Sequence, residues 1–508
     1  MNARLRPQHL ISAIGLSTIG LVLVIAGLRS LPTRSVDAAP IRKAATIITS
    51  SPYPNCRFGI GQGGQAGYDV APLNIGWHLD WNTAITPTHP NHAEYVQVVR
   101  LQPAIGGGFT FVPPTATLHA AVLANPGATW LIGNEPDSPW QDNMPPELYA
   151  RAYQHLYGLI KGFDPTAQLG AGGIVQPTPL RFQYLDRVLT AYRDYYSITL
   201  PADVWNIHSY ILREITYDDP EAVNNGGPYE VWGAYVPPGI DATRGELYTY
   251  SQMFDPAIFR QRLITFRQWM AQNGYSLTPL YLTEFGTLFP YPPYDSEYYV
   301  DEHGVPMTEA RTAQFMTQTF SILMTLTDTV SGYWPDGRRL VQRWAWYSLN
   351  DTQLGGILFD PGTQARRPLG DVFVTYTNQL SPSVDLIVNA SSSAMPWTGQ
   401  PITFTLGAML GNTGNISASV PLTVTFFAGL PGSGTPIGSV LLPAGVLRGC
   451  GGSTVVSIEW SVSTAGVHSF YVDVDATHVV SESNEANNIA TGWALASTQR
   501  VYLPVVKR

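Results

Sequence analysis

Trp130-Leu131-Ile132-Gly133-Asn134-Glu135-Pro136-Asp137 reads as the end of a buried strand followed by a sharp turn. Trp130, Leu131 and Ile132 form a continuous apolar run, the pattern of a strand covered on both faces in a parallel sheet. Pro136 has no N–H to donate, so the ladder stops there. The run delivers Asn134 and Glu135 to the C-terminal edge of a sheet, beside an apolar wall. Burial of that kind raises a carboxyl pKa, which suits a general acid.

Similar runs recur on both sides of it. The candidate strands are Arg57–Gly61, Leu73–Leu79, Tyr95–Leu101, Ala128–Gly133, Gln168–Ile174, Asp203–Ser209, Pro279–Phe285 and Val341–Ser348. Amphipathic helices fill several gaps. One opens at Pro145-Pro146 and carries Leu148, Ala152, Leu156 and Leu159 on one face. Others carry Phe182, Leu185, Leu189 and Tyr192, or Met316, Phe320 and Leu323. The clearest has Asp255 as N-cap, Pro256 in its first turn, a stripe of Phe259, Leu263, Phe266 and Met270, and Gly274 at its end. Eight strands alternating with helices over residues 56–380 predict an α/β fold of the (β/α)8 TIM-barrel type. A doubly wound open sheet is the alternative. Two inserts, 211–252 and 286–306, follow the sixth and seventh strands, on the face where barrel enzymes hold their sites.

The seventh strand repeats the logic of the fourth. Leu280-Tyr281-Leu282-Thr283-Glu284-Phe285-Gly286 presents one acid at the end of an apolar run. A lone Glu at a strand end is commonly a solvated loop residue. In a closed barrel, however, strands four and seven lie on roughly opposite sides, so their acids converge. Two carboxylates about 5 Å apart suit one acid/base and one nucleophile at a sugar–oxygen bond.

With these residues in view, the chain resembles the clan A, or 4/7, superfamily of retaining glycoside hydrolases. Within it, the likeness is to the glycoside hydrolase catalytic-core family named for alkali-sensitive linkage, which includes β-1,3-glucanases. Besides the Asn134–Asp137 and Thr283–Gly286 motifs, the matching stretches are Gly76-Trp77-His78-Leu79-Asp80-Trp81, Glu94-Tyr95-Val96-Gln97-Val98-Val99-Arg100 and Trp205-Asn206-Ile207-His208-Ser209-Tyr210. The resemblance implies Glu135 as acid/base and Glu284 as nucleophile. It implies Asn134 on the sugar 2-hydroxyl, His208 and Tyr210 orienting the carboxylates, and Trp346 flooring the subsite. Trp77 and Trp81 are expected to stack on sugar, because flat rings pack against pyranose C–H faces. Arg100 either braces the nucleophile or pairs with an interior acid. Asp137 is a further substrate-binding candidate, with a plain turn residue as the other reading. The insert at 211–252 departs from the compact family pattern.

After Ser381 helical periodicity stops. Short alternating segments at Val384–Asn389, Ile402–Leu406, Leu422–Phe427, Thr454–Trp460 and Val467–Val474 predict an immunoglobulin-like β-sandwich over 381–495. Tyr471-Val472-Asp473-Val474-Asp475 with Glu482-Ser483-Asn484-Glu485-Ala486-Asn487-Asn488 resembles the cell-adhesion-related domain found in bacteria (CARDB). Those acidic and amide groups read as a hydrogen-bonded turn, with calcium binding as the alternative. Residues 496–508 are a short apolar tail, either a last strand or an attachment signal.

At the other end, Arg4 and Arg6 precede an uncharged run from Leu10 to Leu28, then Val36-Asp37-Ala38. Residues 1–38 read as a secretory signal, or an uncleaved membrane anchor, ahead of a linker at 39–55. Either places the rest outside a bacterial cell, secreted or at the surface. There Cys56 and Cys450 are either one long-range disulfide or two free thiols.

The 508-residue chain has 13% charged residues, a net charge of −9 and three lysines, Lys43, Lys161 and Lys507. No basic patch suited to nucleic acid is present, and only Lys161 could offer a Schiff base. No cofactor or metal is expected. His89 and His92 sit in a Pro- and Asn-containing loop, and Gly59–Gly64 fits a nucleotide-loop pattern but opens no helix. No serine-hydrolase elbow or H-E-x-x-H occurs. The expectation is a monomer acting on a polysaccharide or oligosaccharide. A non-catalytic glycan-binding adhesin on a barrel scaffold is the alternative.

Overall fold

The computed structural model describes residues 55–216, 233–289, 291 and 299–498. The leader, its linker to residue 54, most of the tail and parts of both inserts lie outside the described residues. The first domain holds strands β1 (Phe58–Gly61), β2 (Trp77–Leu79), β3 (Glu94–Tyr95), β4 (Gln97–Pro103), β5 (Phe109–Val112), β6 (Thr129–Ile132), β7 (Gln168–Ile174), β8 (Val204–His208), β9 (Arg213–Ile215), β10 (Gly233–Tyr235), β11 (Leu280–Phe285) and β12 (Arg343–Trp346). Its helices are α1 (Thr115–Ala124), α2 (Pro146–Phe163), α3 (Pro179–Tyr196), α4 (Pro256–Gln272), α5 (Glu309–Thr325) and α6 (Pro368–Thr377). All eight expected strands are present, and the Asp255 cap is seen directly: its side chain accepts the Ala257 N–H at 2.7 Å.

Ten strands form one curled sheet in the order β3-β2-β1-β12-β11-β8-β7-β6-β4-β5, while β9 and β10 pair separately. Every pairing in the large sheet is parallel except β4 with β5. At the two ends of that order, β3 pairs with β2 and β4 pairs with β6, although only Val96 separates β3 from β4 in the chain.

Side chains alternate between two apolar layers, as strand geometry requires. Trp77, Leu79, Val96, Val98, Leu131 and Ala345 pack together inside the curl. Phe58, Trp130, Ile132, Trp205, Leu282, Trp344 and Trp346 face outward against the helices, meeting Leu156, Leu185, Phe266 and Phe320. The inner layer explains Gly59: a Cβ there would stand 2.5 Å from the Trp77 ring. The glycines at 59–64 therefore serve packing, and no helix follows them.

The second domain has β13 (Leu386–Ser391), β14 (Ser393–Pro396), β15 (Ile402–Asn412), β16 (Leu422–Ala428), β17 (Thr435–Leu442), β18 (Gly452–Val462), β19 (Gly466–Val474) and β20 (Ile489–Ser497). The sheets β13-β15-β18 and β14-β20-β19-β16-β17 share one core that includes Leu386, Phe404, Leu410, Phe426 and Phe470. Its acidic residues act in turns: Asp475 accepts the N–H groups of Val479 and Val480, and Glu482 accepts those of Leu386 and the Asn488 amide. Cys56 and Cys450 form a disulfide across the domain junction. Beside it, the buried Arg57 grips Asp336 at 2.7 and 2.8 Å and donates to the Thr413 carbonyl at 2.9 Å.

Candidate active site

The turn after β6 is held in an uncommon backbone shape. Gly133 has φ +85° and Glu135 φ +46°, so an L-residue sits in the left-handed region. Hydrogen bonds hold it there: Gly133 N–H to the Val99 carbonyl at 2.8 Å, Glu135 N–H to Gly173 at 2.9 Å, and Asn134 N–H to the Asp142 carboxylate at 2.8 Å. Glu284 arrives differently. Leu280 and Leu282 face the helices, and strict alternation would send Glu284 the same way. Pairing with both neighbours slips after Leu282, and this irregularity turns Glu284 inward.

Both acids are buried, 3% and 6% exposed, and His208 stands between them. Its Nδ1 lies 3.0 Å from a Glu135 oxygen and its Nε2 3.3 Å from a Glu284 oxygen. Oxygens of the two acids and a nitrogen of His208 all fall within 4.8 Å of one another. Tyr210 donates its hydroxyl to Glu284 at 2.9 Å, and Arg262 donates to the Tyr210 backbone carbonyl.

Burial pushes the Glu284 carboxyl up to about 7, and the neighbouring Glu135 charge adds to the rise. His208, the Tyr210 hydroxyl and the Trp81 indole oppose it. Burial also lowers the His208 pKa, against the pull of the Glu284 and Asp137 charges. A neutral imidazole has one N–H. In that form His208 hydrogen-bonds both acids only when one of them is protonated.

These groups border a cavity of about 240 Å³. Of the residues expected from sequence, Trp81, Arg100, Asn134, Glu135, Tyr210 and Glu284 line it, and His208 joins the two acids from behind. Arg100 pairs with an interior acid, Asp142, at 2.6 Å, and does not touch Glu284. Three expectations are corrected. Trp77 is fully buried in the inner core, its indole donating to the Arg57 carbonyl and its ring under the Arg343 guanidinium. Trp346 faces the helices, with its N–H on the Gly356 carbonyl at 2.6 Å. Asp137 is fully buried against Arg181 at 3.0 Å and accepts the Val175 N–H, so it braces the turn and does not reach sugar.

Asp80, Asn82, Gln141, Leu288, Tyr347 and Leu354 also line the cavity and were not anticipated. For Tyr347 a signal existed: with Trp344 and Trp346 facing the helices, Ala345 and Tyr347 must face inward. Glu135, His208 and Glu284 are the one group among the described residues that could hold a metal ion. The two ring nitrogens already face different carboxylates, so an ion on either would have to draw both acids to one edge of the ring. His89 instead meets the Ala93 carbonyl at 3.0 Å.

Residues 383–492 match the CARDB family model. No curated protein matches the chain in sequence. Among solved structures, the chain is similar to a GH128 (subgroup II) endo-beta-1,3-glucanase from Sorangium cellulosum, at 16% identity over 63% of this chain and 98% of that one, with a TM-score of 0.37. It is similar to a GH128 (subgroup I) endo-beta-1,3-glucanase from Amycolatopsis mediterranei solved with laminaritriose, at 17% identity over 63% and 98%, TM-score 0.39. A CARDB domain from Pyrococcus furiosus, solved with di-metal ions, is 20% identical over 22% of this chain and 94% of that one, TM-score 0.19. Likenesses this distant carry no argument about chemistry, which rests on the geometry above.

Proposed function

We propose that the chain is an exported retaining glycoside hydrolase that cleaves β-linked bonds of a polysaccharide, of the β-glucan class that its motifs resemble. The observation behind this reading is the convergence of Glu135 and Glu284 around His208. Their oxygens approach within 4.8 Å. Retaining enzymes hold the carboxyl pair about 5 Å apart, whereas inverting enzymes leave roughly 6.5–9.5 Å for a water. The sheet supports the same reading. With only Val96 between β3 and β4, one stretch of chain pairs to β2 on one side and β6 on the other, as in a closed (β/α)8 barrel.

Glu135 protonates the glycosidic oxygen as the C–O bond breaks, and Glu284 bonds the anomeric carbon. Glu135, now a base, takes a proton from water, which releases the sugar from Glu284. Glu284 must be ionised to attack, so the single proton of the pair has to reside on Glu135 at that moment. His208 lies where it can hold either arrangement. Trp81 and Tyr347, with ring centroids 5.4 Å apart, wall the cavity for a pyranose face. We place the protein outside the cell as a monomer, released or anchored by its leader, with the β-domain as an accessory.

Assay of wild type, Glu135→Ala and Glu284→Ala on β-glucans, mannans and xylans tests this. Wild type is expected to release sugar and both variants to lose at least about 10³-fold in kcat. Azide is expected to restore turnover to Glu284→Ala with a glycosyl azide of opposite anomeric configuration. A wild type that binds glycan without cleaving it would be the adhesin.

A further inference from the structure

The acid-bearing turn is gripped by a carboxylate that its motif does not contain. Asp142 lies at the end of the loop that follows the turn, 1% exposed at its side chain. Its two oxygens have separate duties. Oδ2 accepts the N–H of Leu101, from β4, at 2.9 Å and the N–H of Asn134, one residue before the acid, at 2.8 Å. Oδ1 accepts the Arg100 Nε at 2.6 Å. Arg100, 29% exposed at its side chain, also donates to Gln141 at 2.8 Å, and both residues line the cavity. Resting on the glycosidase reading, we propose that Asp142 is a positioning residue for the acid pair, with one oxygen fixing the Asn134–Glu135 backbone and the other neutralising Arg100 at the cavity wall.

The charge matters because Arg100 is close enough to be felt at His208, where it opposes protonation. An unneutralised guanidinium there would favour the ionised acids and pull down the pH at which the pair loses its shared proton. Besides Arg100, the groups facing the pair are His208 from β8, Tyr210 beyond it, Tyr347 beyond β12, Asp137 from the turn and Asp80 beyond β2. Asp142 itself faces Arg100 and the hydroxyls of Tyr149 and Tyr184.

The two duties separate by substitution. In Asp142→Asn, the amide oxygen can keep both backbone N–H groups, while its NH2 meets Arg100 donor to donor and releases it. The basic limb of kcat/KM against pH is then expected to fall by about one unit, and Arg100→Gln in that background to return it. Arg100→Gln alone keeps a donor for Oδ1 but removes the charge, so the limb is expected to rise; this variant decides the matter if Asp142→Asn does not fold. A purely structural Asp142 would leave the limb in place in Asp142→Asn, and that result, or an unmoved limb in Arg100→Gln where Asp142→Asn does not fold, overturns the proposal. If no substrate is turned over, the titration of Glu284 is read instead from unfolding free energy against pH, each variant compared with its Glu284→Gln partner. The same shifts are expected there, so failure of the glycosidase reading and failure of this one are distinguishable.

Discussion

Glu135 and Glu284 are two carboxylates that line one small cavity. Glu284 is raised to about 7 by burial and by its partner's charge. A raised acid costs stability once the unfolded chain would ionise it. The cost is absent below about pH 4.5, grows as pH rises and is complete above about 7. Glu284→Gln is therefore expected to stabilise the protein by about 3 kcal/mol at pH 8. Denaturant unfolding at pH 8 and pH 4 checks this, and the gain should vanish at pH 4. Tyr210 works against the rise through its hydroxyl, bonded at 2.9 Å. Tyr210→Phe should move the Glu284 titration upward and lower kcat about 10- to 100-fold at pH 6, as expected for losing a hydrogen bond to a charged group. At this scale the sequence was informative where a residue ended an apolar run, as Glu135 and Glu284 do. It was silent on Asp142, which meets the turn only through the return of a loop.

The strands were legible because buried parallel strands read as continuous apolar runs, and all eight are present. The helix α1 was not, because Thr115–Ala124 is apolar without a stripe, and β17 mixes Pro, Gly and Ser into its pattern. Facing errors followed from phase. Trp344 and Trp346 were easy to place on a strand but not on a side of it, and the slip after Leu282 hides Glu284 from simple alternation. The corrected phase separates two neighbours. Tyr347→Ala is expected to raise KM about tenfold and, because its ring is buried and its hydroxyl is bonded to Asp351, to cost about 3 kcal/mol as well. Trp346→Phe is expected to lose about 1–3 kcal/mol, because it vacates core volume and abandons the Gly356 carbonyl, with KM within about twofold. Steady-state kinetics and denaturation on the same two variants distinguish these outcomes.

Across the whole molecule, the Cys56–Cys450 disulfide and the hydrogen bonds that Cys56 and Arg57 donate to the Asn415 and Thr413 carbonyls join the barrel-like sheet to the β-domain. The Cys56–Cys450 disulfide spans 394 residues of sequence, a loop long enough for a large loss of unfolded-state freedom when it closes. Arg57 and Asp336 stand beside it, 2% and 0% exposed at their side chains. Cys56→Ser with Cys450→Ser is expected to cost about 2–5 kcal/mol, seen as a lower melting temperature, with kcat/KM on short substrates nearly unchanged because the cavity lies among strand ends remote from the junction. Sequence alone left this pairing open, since two cysteines near opposite ends of a chain are equally readable as free thiols.

The central claim is that Glu135 and Glu284 act together on one glycosidic bond, the first on its oxygen and the second on its anomeric carbon. Proton NMR of the first-formed reducing end, followed while wild type degrades a soluble β-glucan, tests it most directly. The proposed double displacement predicts the β-anomer first, with the α-anomer growing in only by mutarotation. An α-anomer at the outset, or no new reducing end on any β-linked glycan, would contradict it.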